Sequence, residues 1–483
     1  MPDLLVPPFL EVSFPEHKVS TLGITLNVGK QRISKVDFEN LVNLLNKKKV
    51  INSFIEMRQG AIVNLSEKRQ ALHTSLRDPS LEAPYSRDVH KTLDRICQFA
   101  ERVRNWKWLG CRGDRITDVI NIGIGGSDMG PRAVYNALRT TRPEIKVHFL
   151  ASADGVALDR LTAELDPYKT LIIISSKSFN TLETLSNTKE IFGWLKNFGF
   201  KDDDYKHHVV AVSANPKAAN SLGLPDENFF PIWDWVGGRF SVWGAIGLPV
   251  AISLGENVFR RFLMGAHLMD VHTASAPIQN NLPALLAAFS YWNIENLAIS
   301  SFCFLPYDER LTTLVPWLQQ LEMESLGKSK RGKGEKISEK TCVPVWGGHG
   351  NESQHSFYQF LREGTARTAL DICWCEKAGH AHNDLHCVLL ANAKAQAEAL
   401  LKRETDDGCF NVVNTIVLDE LSPETLGSLM AMYENKTAIL GALLGINTFD
   451  QPGVELGKLL AKKLLYLNFD SLQIAEILGN VRS

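Results

Sequence analysis

A series of short apolar segments, the first four of them each followed by Gly, Ser or Asn and then by a helix-like stretch, constrains the fold of this chain more than any other feature. The first four segments read DVINIGIG, IKVHFLAS, TLIIISS and HHVVAVSA and lie between residues 118 and 214. A second group, SFCFLPY, CVPVWGG, DICWCE and NTIVLDE, lies between residues 301 and 420. Apolar strands that alternate with helices are typical of parallel sheets, because parallel strands need crossover connections. We therefore expect an α/β protein with two domains, each a parallel sheet flanked by helices.

Helix-like spacing dominates the chain outside these two groups. Residues 36–104 contain FENLVNLLNKK and HKTLDRICQFAERVRNW without a convincing strand run, and LLAAFSYWNIENLAIS reads as a helix between the groups. C-terminal helices are expected from about Leu426, with a last one starting near Asp450. The expected order is an N-terminal helical segment (1–104), a first α/β domain (105–280), a second (281–445) and a C-terminal helical segment (446–483).

Composition excludes several classes of partner. The 52 basic and 54 acidic residues leave a formal net charge of -2, which gives no field that would attract nucleic acid or an anionic membrane. The longest apolar stretches, such as 245–254, are too short to span a bilayer, and the N-terminus lacks the pattern of a secretory signal. The eight cysteines are scattered along the chain, so we expect reduced thiols and a cytoplasmic location.

The first polar element is the glycine-rich turn in INIGIGGSDMGPRAVYNAL, residues 120–138. Gly123, Gly125 and Gly126 follow an apolar strand, and Pro131 is expected near the first position of the next helix. Backbone N–H groups at such a turn suit a phosphate or a sugar hydroxyl. A dinucleotide site is not favoured, because Asp128 stands where that fingerprint needs Gly or Ala. A purely structural turn remains open from this pattern alone.

A hydroxyl-rich segment follows the strand in LIIISSKSFNTLETLSN, residues 171–187. It gathers hydroxyls, amide donors and one cation at the start of a helix, from Ser175, Ser176, Lys177, Ser178 and Thr181. This combination favours phosphate binding without a metal. Helix capping is the alternative, although five polar groups exceed what one cap needs.

Arg239 follows two glycines among aromatic and aliphatic residues in FFPIWDWVGGRFSVWGAIGLP, residues 229–249. An arginine in such surroundings loses water, and an unpaired buried guanidinium is costly. Its partner is expected to be an anionic ligand, with an ion pair to Asp234 as the structural alternative.

Six potential metal ligands are crowded into CWCEKAGHAHNDLHC, residues 373–387, namely Cys373, Cys375, His380, His382, His386 and Cys387. Their spacing fits neither a cysteine-pair ribbon nor an HExxH helix. We expect no metal here, and we interpret one histidine as an acid–base group that works near neutral pH.

Two further segments carry charge. In FDQPGVELGKLLAKKLL, residues 449–465, the side chains of Gln451, Glu455 and Lys458 would share one face of a helix, either as part of a site or as a surface Glu–Lys pair. The segment KSKRGKGEKISEK, residues 328–340, has six basic and two acidic residues. It is expected to be a solvated loop, with phosphate steering as the alternative.

Taken together and in order, these segments closely resemble the glucose-6-phosphate isomerase family. The agreement runs from about residue 120 to about residue 465 and includes LPYDERL at 305–311, QQLEMESLGK at 319–328 and SQHSFYQFLREGT at 353–365. The resemblance implies two sugar-isomerase (SIS) domains and a homodimer. It also implies isomerisation of a hexose 6-phosphate through an enediolate, with neither a metal nor an organic cofactor.

The resemblance further implies a role for individual residues. Arg239 would stabilise the negative charge of the enediolate, and His386 together with Lys458 would open the sugar ring. The residues expected to bind the substrate phosphate are Ser176, Lys177, Ser178 and Thr181. Those expected next to the sugar are Gly126 and Ser127. Glu183 and Gln451 are further expected substrate contacts.

One position departs from the family pattern. The family's proton-transferring glutamate lies in a motif that reads WGE, a variable residue, then GTNGQH, whereas this chain reads WGGHGNESQH, with Gly348 in place of the glutamate. Glu352 is the predicted base, and His349 is the second candidate. A noncatalytic sugar-phosphate-binding protein is the alternative function, and a metal-dependent sugar-phosphate enzyme that uses the Cys/His cluster is a third hypothesis.

Overall fold

The computed structural model describes residues 17–217, 222–332, 334–402 and 410–468. Contacts divide this part of the chain into two units. Within the described ranges, unit 1 comprises residues 17–59 and 264–448, and unit 2 comprises residues 60–263 and 449–468. Each unit is thus built from two separate stretches of chain. The division into four consecutive segments (1–104, 105–280, 281–445 and 446–483) stays a prediction, because a unit defined by residue contacts is not the same as an independently folding domain.

Strands occur in every apolar segment that the sequence singled out. The strands of the described chain are β1 (Lys18–Thr21), β2 (Ile24–Asn27), β3 (Ile62–Asn64), β4 (Arg69–Gln70), β5 (Asp118–Ile122), β6 (Lys146–Leu150), β7 (Thr170–Ser175), β8 (Val209–Ser213), β9 (Phe229–Pro231), β10 (Ser301–Pro306), β11 (Val345–Gly347), β12 (Thr368–Cys375) and β13 (Val412–Leu418). Those in the singled-out segments are β5 to β8 and β10 to β13.

Helices fill most of the remaining described chain. They are α1 (Lys35–Lys47), α2 (Val50–Arg58), α3 (Ser86–Arg104), α4 (Gly126–Leu138), α5 (Gly155–Ala163), α6 (Leu182–Asn197), α7 (Tyr205–His208), α8 (Leu248–Leu254), α9 (Glu256–Ser275), α10 (Leu282–Leu297), α11 (Leu314–Leu326), α12 (Gly350–Gln354), α13 (Tyr358–Glu363), α14 (Asn383–Leu401), α15 (Pro423–Leu444) and α16 (Glu455–Asn468).

Unit 2 contains a parallel sheet, as predicted, and its strand order is β6-β5-β7-β8-β9; the three-residue strand β9 was not predicted. Its interior is formed by β-branched residues such as Ile120, Ile172 and Ile174, which are fully buried. Helices α4 and α6 contact the sheet. The chain leaves β5 for β6 on one side and then returns to β7 on the other, so the strand order reverses at β5. Ligands of open α/β sheets bind beyond the carboxyl ends of the strands at such a reversal.

Unit 1 contains a mixed sheet with the strand order β1-β2-β13-β12-β10-β11. The four strands from β13 to β11 are parallel, as predicted, and α11 and α14 pack against them. The antiparallel hairpin of β1 and β2, which joins the sheet at β13, was not predicted. Each of its strands has only four residues and β1 is largely exposed, so the apolar pattern that reveals the other strands is weak there.

The region 36–104 is mainly helical, as the spacing predicts, and holds α1, α2 and α3. The short hairpin of β3 and β4 lies inside it and was not predicted. With two and three residues, these strands are too short to show an alternating pattern.

Helix α15 forms the centre of unit 1 and is buried along almost its whole length. It carries Lys436, whose ammonium donates to a carboxylate oxygen of Glu322 over 2.7 Å, with both side chains almost completely buried. Desolvation raises the pKa of Glu322, although the nearby Lys436 opposes the shift. On β12, the buried Asp371 accepts hydrogen bonds from the hydroxyl of Tyr433 and the side-chain amide of Asn414. These partners satisfy charges that would otherwise be costly to bury.

None of the helices in the described part of the chain is both long and apolar enough to cross a membrane.

Candidate active site

The glycine-rich turn of unit 2 connects β5 to α4. Gly125 precedes the helix with φ +61°, a left-handed conformation that glycine adopts without a steric penalty. Gly126 begins the helix, and a Cβ atom there would lie 2.0 Å from the carbonyl oxygen of Gly238 and 2.7 Å from the nitrogen of Arg239. Only glycine allows this close approach, so Gly126 sets the start of α4 against the loop that carries Arg239.

Pro131 lies inside α4, and the expectation that it opens the helix was wrong. Proline has no N–H, so it cannot bond the carbonyl of Ser127 four residues earlier. The side-chain amide of Asn121 on β5 donates to that carbonyl over 2.9 Å instead. Its Oδ1 accepts a hydrogen bond of 3.0 Å from the hydroxyl of Ser175 at the end of β7. Asn121 thus ties the two candidate loops together. It was not singled out from the sequence, where the only signal is a polar residue within an apolar strand.

The hydroxyl-rich segment runs from the end of β7 into α6. Ser176 is buried, and its hydroxyl oxygen accepts a hydrogen bond of 3.1 Å from the N–H of Phe179, which has a left-handed φ of +56°. Thr181 is the residue before α6, and its side chain makes no capping bond. The exposed Ser178 donates to the side chain of Asn180. A helix start with an uncapped first turn has N–H groups that can bind an anion.

Two of the predicted substrate residues lie in the first turns of these helices. Glu183 is the second residue of α6, and Ser127 is the second residue of α4. Both side chains are half-buried. They therefore lie at the edge of the sheet where the strand order reverses.

Lys177 connects the hydroxyl-rich segment to the segment before Arg239. Its ammonium donates to the carbonyl oxygens of Asp234 over 2.8 Å and Val236 over 2.9 Å. Burial lowers the pKa of this ammonium. The positive charge is therefore held by backbone carbonyls at the base of the Arg239 loop.

Arg239 is almost completely buried. It donates one hydrogen bond of 2.9 Å to Oε1 of Gln451 and another of 3.2 Å to the carbonyl oxygen of Asp450. The carboxylate of Asp234, which sequence analysis considered as its partner, lies 3.7 Å from the guanidinium of Arg69. The geometry places a fixed cation beside the side-chain amide of Gln451.

The expectation that Gln451, Glu455 and Lys458 share one helix face was wrong. Gln451 has φ -146° and precedes a 3-10 turn at Pro452–Val454, and α16 begins only at Glu455. Within α16, Lys458 forms an exposed ion pair of 2.9 Å with Glu455, one turn apart. Gln451 is positioned by Arg239 rather than by the helix.

In unit 1, His386 lies in the first turns of α14. Its Nε2 is 2.9 Å from the carbonyl oxygen of Glu376. A carbonyl oxygen only accepts hydrogen bonds, so Nε2 carries the proton and donates. In the neutral imidazole, Nδ1 then holds the free lone pair, and this nitrogen is the one that can exchange a proton.

The loop that departs from the family pattern follows β11. A Cβ atom at Gly348 would lie 3.2 Å from the hydroxyl oxygen of Ser353 and 3.9 Å from Phe357. His349 directly precedes α12 and is half-buried, and its Nδ1 is buried without a hydrogen-bond partner among the described residues. Glu352 lies in the first turn of α12 with an exposed side chain. The loop therefore offers an exposed carboxylate and a half-buried imidazole.

The cysteines of the Cys/His cluster are separated by their positions in the fold. Cys373 and Cys375 lie buried in β12, and burial raises the pKa of both thiols, whereas Cys387 is exposed on α14. His380 and His382 are exposed as well. Across the described ranges, no three His, Cys, Asp or Glu side chains lie close enough to hold a metal ion.

The basic segment 328–340 is partly held by structural bonds. Arg331 donates to the carbonyl oxygen of Leu444 at the end of α15 and forms an ion pair with Glu339. Lys328 donates to the carbonyl oxygen of Glu324. Lys333 lies outside the described residues. The choice between a solvated loop and phosphate steering stays open for the remaining lysines.

Comparison with known proteins agrees with the arrangement of these segments. The phosphoglucose isomerase family model matches residues 27–477. Glucose-6-phosphate isomerase of Saccharophagus degradans is 38% identical over 471 residues, which covers 92% of this chain and 86% of that protein. Glucose-6-phosphate isomerase 2 of Cupriavidus pinatubonensis is 40% identical over 474 residues, covering 92% and 87%. The crystal structure of a glucose-6-phosphate isomerase from Chlamydia trachomatis has a TM-score of 0.82 and 29% identity, covering 95% of this chain and 91% of that one.

Proposed function

Because the chain belongs to the phosphoglucose isomerase family, we propose that it interconverts glucose 6-phosphate and fructose 6-phosphate. The observation that carries the proposal is the family match over residues 27–477, together with relatives of that name that are similar over most of their length. The reaction needs acid–base groups and a fixed positive charge, and the chain has candidates for each. Neither a metal nor an organic cofactor is part of the proposal.

The phosphate-binding residues of this proposal lie in unit 2. The phosphate lies against the start of α6, at Ser176, Lys177, Ser178 and Thr181, where hydroxyls and the amides of the first turn are donors. The side chain of Lys177 is bonded to two carbonyls, so its contribution there comes from its backbone and its nearby charge. The remaining substrate contacts in this unit are Gly126, Ser127, Glu183 and Gln451.

Ring opening is assigned to His386 and Lys458. Nδ1 of His386 exchanges the proton with the sugar, because Nε2 is engaged with the carbonyl oxygen of Glu376. Lys458 provides an exposed ammonium at the start of α16. This step converts the cyclic sugar to the open chain that isomerisation requires.

Isomerisation is assigned to a base in the loop after β11 and to Arg239. Glu352 removes the proton from C2 of the open-chain glucose 6-phosphate, so the electron pair of that C–H bond forms the C1–C2 double bond and the C1 oxygen takes the negative charge of the enediolate. The same group returns the proton to C1, while the C2 hydroxyl becomes the carbonyl and its proton passes to the C1 oxygen. Arg239 stabilises the negative charge that forms, and it needs little rearrangement because its guanidinium is already fixed. His349 is the alternative base, since a neutral imidazole can make the same transfer.

A cytoplasmic location and a homodimer are further parts of the proposal, supported by the resemblance to the family. Size-exclusion chromatography with light scattering measures the oligomeric state, and cell fractionation measures the location. A mass of one chain or a membrane-bound fraction contradicts the corresponding part.

The activity is tested by converting fructose 6-phosphate to glucose 6-phosphate in an assay coupled to glucose-6-phosphate dehydrogenase. We expect turnover that survives EDTA. A protein that binds fructose 6-phosphate without product formation supports the noncatalytic alternative. Loss of activity with EDTA and recovery with a divalent metal supports the metal-dependent one.

A further inference from the structure

His73 is an almost completely buried histidine, and one of its two ring nitrogens has no hydrogen-bond partner within the described part of the chain. It begins a short 3-10 helix, His73–Leu76, in unit 2 and is 1% exposed. Its Nε2 is buried and has no hydrogen-bond partner among the residues that the structure describes. Burial, with a smaller effect from the positive charge of Arg77, lowers the pKa of His73 well below its ordinary value. Buried polar atoms are nearly always hydrogen-bonded, so this exception calls for a reason other than stability.

The imidazole lies in a cluster of three rings. Its centroid is 4.5 Å from that of Phe240 in a stacked arrangement and 6.1 Å from that of Phe449. The rings of Phe240 and Phe449 are 5.5 Å apart. His73 thus touches both phenylalanines, which come from parts of the chain more than 200 positions apart.

Each phenylalanine is a close neighbour in sequence of a candidate active-site residue. Phe240 directly follows Arg239, and Phe449 is two residues before Gln451. Arg239 and Gln451 are joined by the hydrogen bond of 2.9 Å. If either phenylalanine ring moves, the backbone that carries Arg239 or Gln451 moves with it, because only one or two residues separate them. Closely packed interiors transmit such displacements.

We infer that His73 is a positioning residue of the active site, whose ring fixes the segment of Arg239 against the segment of Gln451. This inference rests on the proposed function, because that function makes Arg239 the group that stabilises the enediolate and Gln451 a substrate contact. The imidazole of His73 packs against Phe240 and Phe449 and so keeps Arg239 and Gln451 aligned. This placement leaves its Nε2 without a hydrogen-bond partner among the described residues. Small displacements of groups that stabilise a transition state lower turnover strongly, so the ring is expected to matter more for rate than for folding.

The test compares His73→Ala with His73→Phe and with a matched cavity elsewhere in unit 2. Leu195→Ala removes a fully buried side chain from α6 in the core of the same unit, far along the helix from its candidate phosphate site. We expect kcat of His73→Ala, per folded protein, to fall at least roughly tenfold. Leu195→Ala should lower the melting temperature with kcat unchanged. His73→Phe keeps a ring in the cluster and should recover most of the lost kcat.

Free imidazole provides a second readout. A ring-sized cavity left by His73→Ala can bind a small ring from solution, as apolar cavities do. Millimolar imidazole should therefore raise kcat of His73→Ala several-fold and leave wild type and Leu195→Ala unchanged. A kcat of His73→Ala within about twofold of wild type, or a His73→Phe variant no more active than His73→Ala, overturns the inference.

The wild-type assay separates this outcome from failure of the proposed function. If wild type does not turn over fructose 6-phosphate, the proposed activity fails, and calorimetric binding of fructose 6-phosphate decides the role of His73 instead. Weaker binding by His73→Ala than by Leu195→Ala supports positioning, and equal binding contradicts it.

Discussion

Arg239 donates a hydrogen bond of 2.9 Å to the side-chain oxygen of Gln451, a residue 212 positions later in the chain. The same guanidinium also donates to the carbonyl oxygen of Asp450 over 3.2 Å. The fork of N–H groups on arginine can make both bonds while its positive charge still faces a ligand. This contact links the two stretches of chain that form unit 2 at the point where the proposed enediolate is stabilised.

Replacing Arg239 with lysine should lower turnover by about 100-fold or more, with a smaller change in KM. A lysine ammonium is a single point and cannot reproduce both fixed bonds of the guanidinium. Arg112→Lys, at an exposed position of unit 2, is the matched control and should keep wild-type kinetics. A kcat of Arg239→Lys close to that of wild type would remove Arg239 from the charge-stabilising role.

Glu352→Gln should lower kcat by roughly 100-fold with little change in substrate affinity, because the amide keeps the shape and loses the base. His349→Gln is its matched control in the same loop and should have a much smaller effect. Steady-state kinetics with fructose 6-phosphate measure both variants. The opposite pattern, with His349→Gln as the impaired variant, assigns the proton transfer to the imidazole.

The sequence predicts β5 to β8 and β10 to β13 because each lies in a short apolar segment, but it does not reveal β9, which has only three residues. It does not reveal β1 and β2, since each has only four residues and the edge strand β1 is partly exposed, which leaves little apolar pattern. Nor does it reveal that Arg239 meets Gln451, because that contact depends on how distant segments fold together. Pro131 shows a different limit: local preference puts proline at a helix start, but the side-chain amide of Asn121 donates to the carbonyl that proline leaves without an N–H partner, and proline lies inside α4.

Gly348→Glu should restore activity to the Glu352→Gln variant. The backbone at Gly348 lies outside the left-handed region, and a Cβ atom there needs only a shift of a few tenths of an ångström by the hydroxyl of Ser353. A carboxylate at 348 also occupies the position that the family uses. The double variant should regain at least about tenfold in kcat over Glu352→Gln. Gly348→Gln in the same background is the control, and equal rates for the two double variants contradict a role for the new carboxylate.

His208 should make stability fall as the pH drops below about 6.5. Its Nδ1 donates to the carbonyl oxygen of Thr170, and its Nε2 accepts from the N–H of Cys111, so only the neutral ring makes both bonds. Burial lowers the pKa of His208 in the folded protein. The unfolded chain therefore takes up the proton first as the pH falls, and stability present above the unfolded pKa is lost by up to about 1.4 kcal/mol per pH unit.

Urea unfolding measured from pH 7.5 to pH 5.5, in steps of about half a pH unit, gives the free energy of unfolding at each pH. His208→Gln keeps a donor and an acceptor without a titrating group, so its stability should depend less on pH than that of wild type. His90→Gln, on α3, is the control. An unchanged pH dependence in His208→Gln shows that other groups cause the acid loss.

Lys436→Met should destabilise the protein by about 3–5 kcal/mol, because it leaves the buried carboxylate of Glu322 without its ion-pair partner. The double variant Lys436→Met with Glu322→Leu removes both charges and should recover most of that loss, since two apolar side chains can replace a buried pair at little net cost. Urea unfolding of wild type, both single variants and the double variant gives the coupling free energy directly. A double variant as unstable as the sum of the two single variants would show that the two charges do not stabilise one another, and the buried pair would then have no energetic role in unit 1.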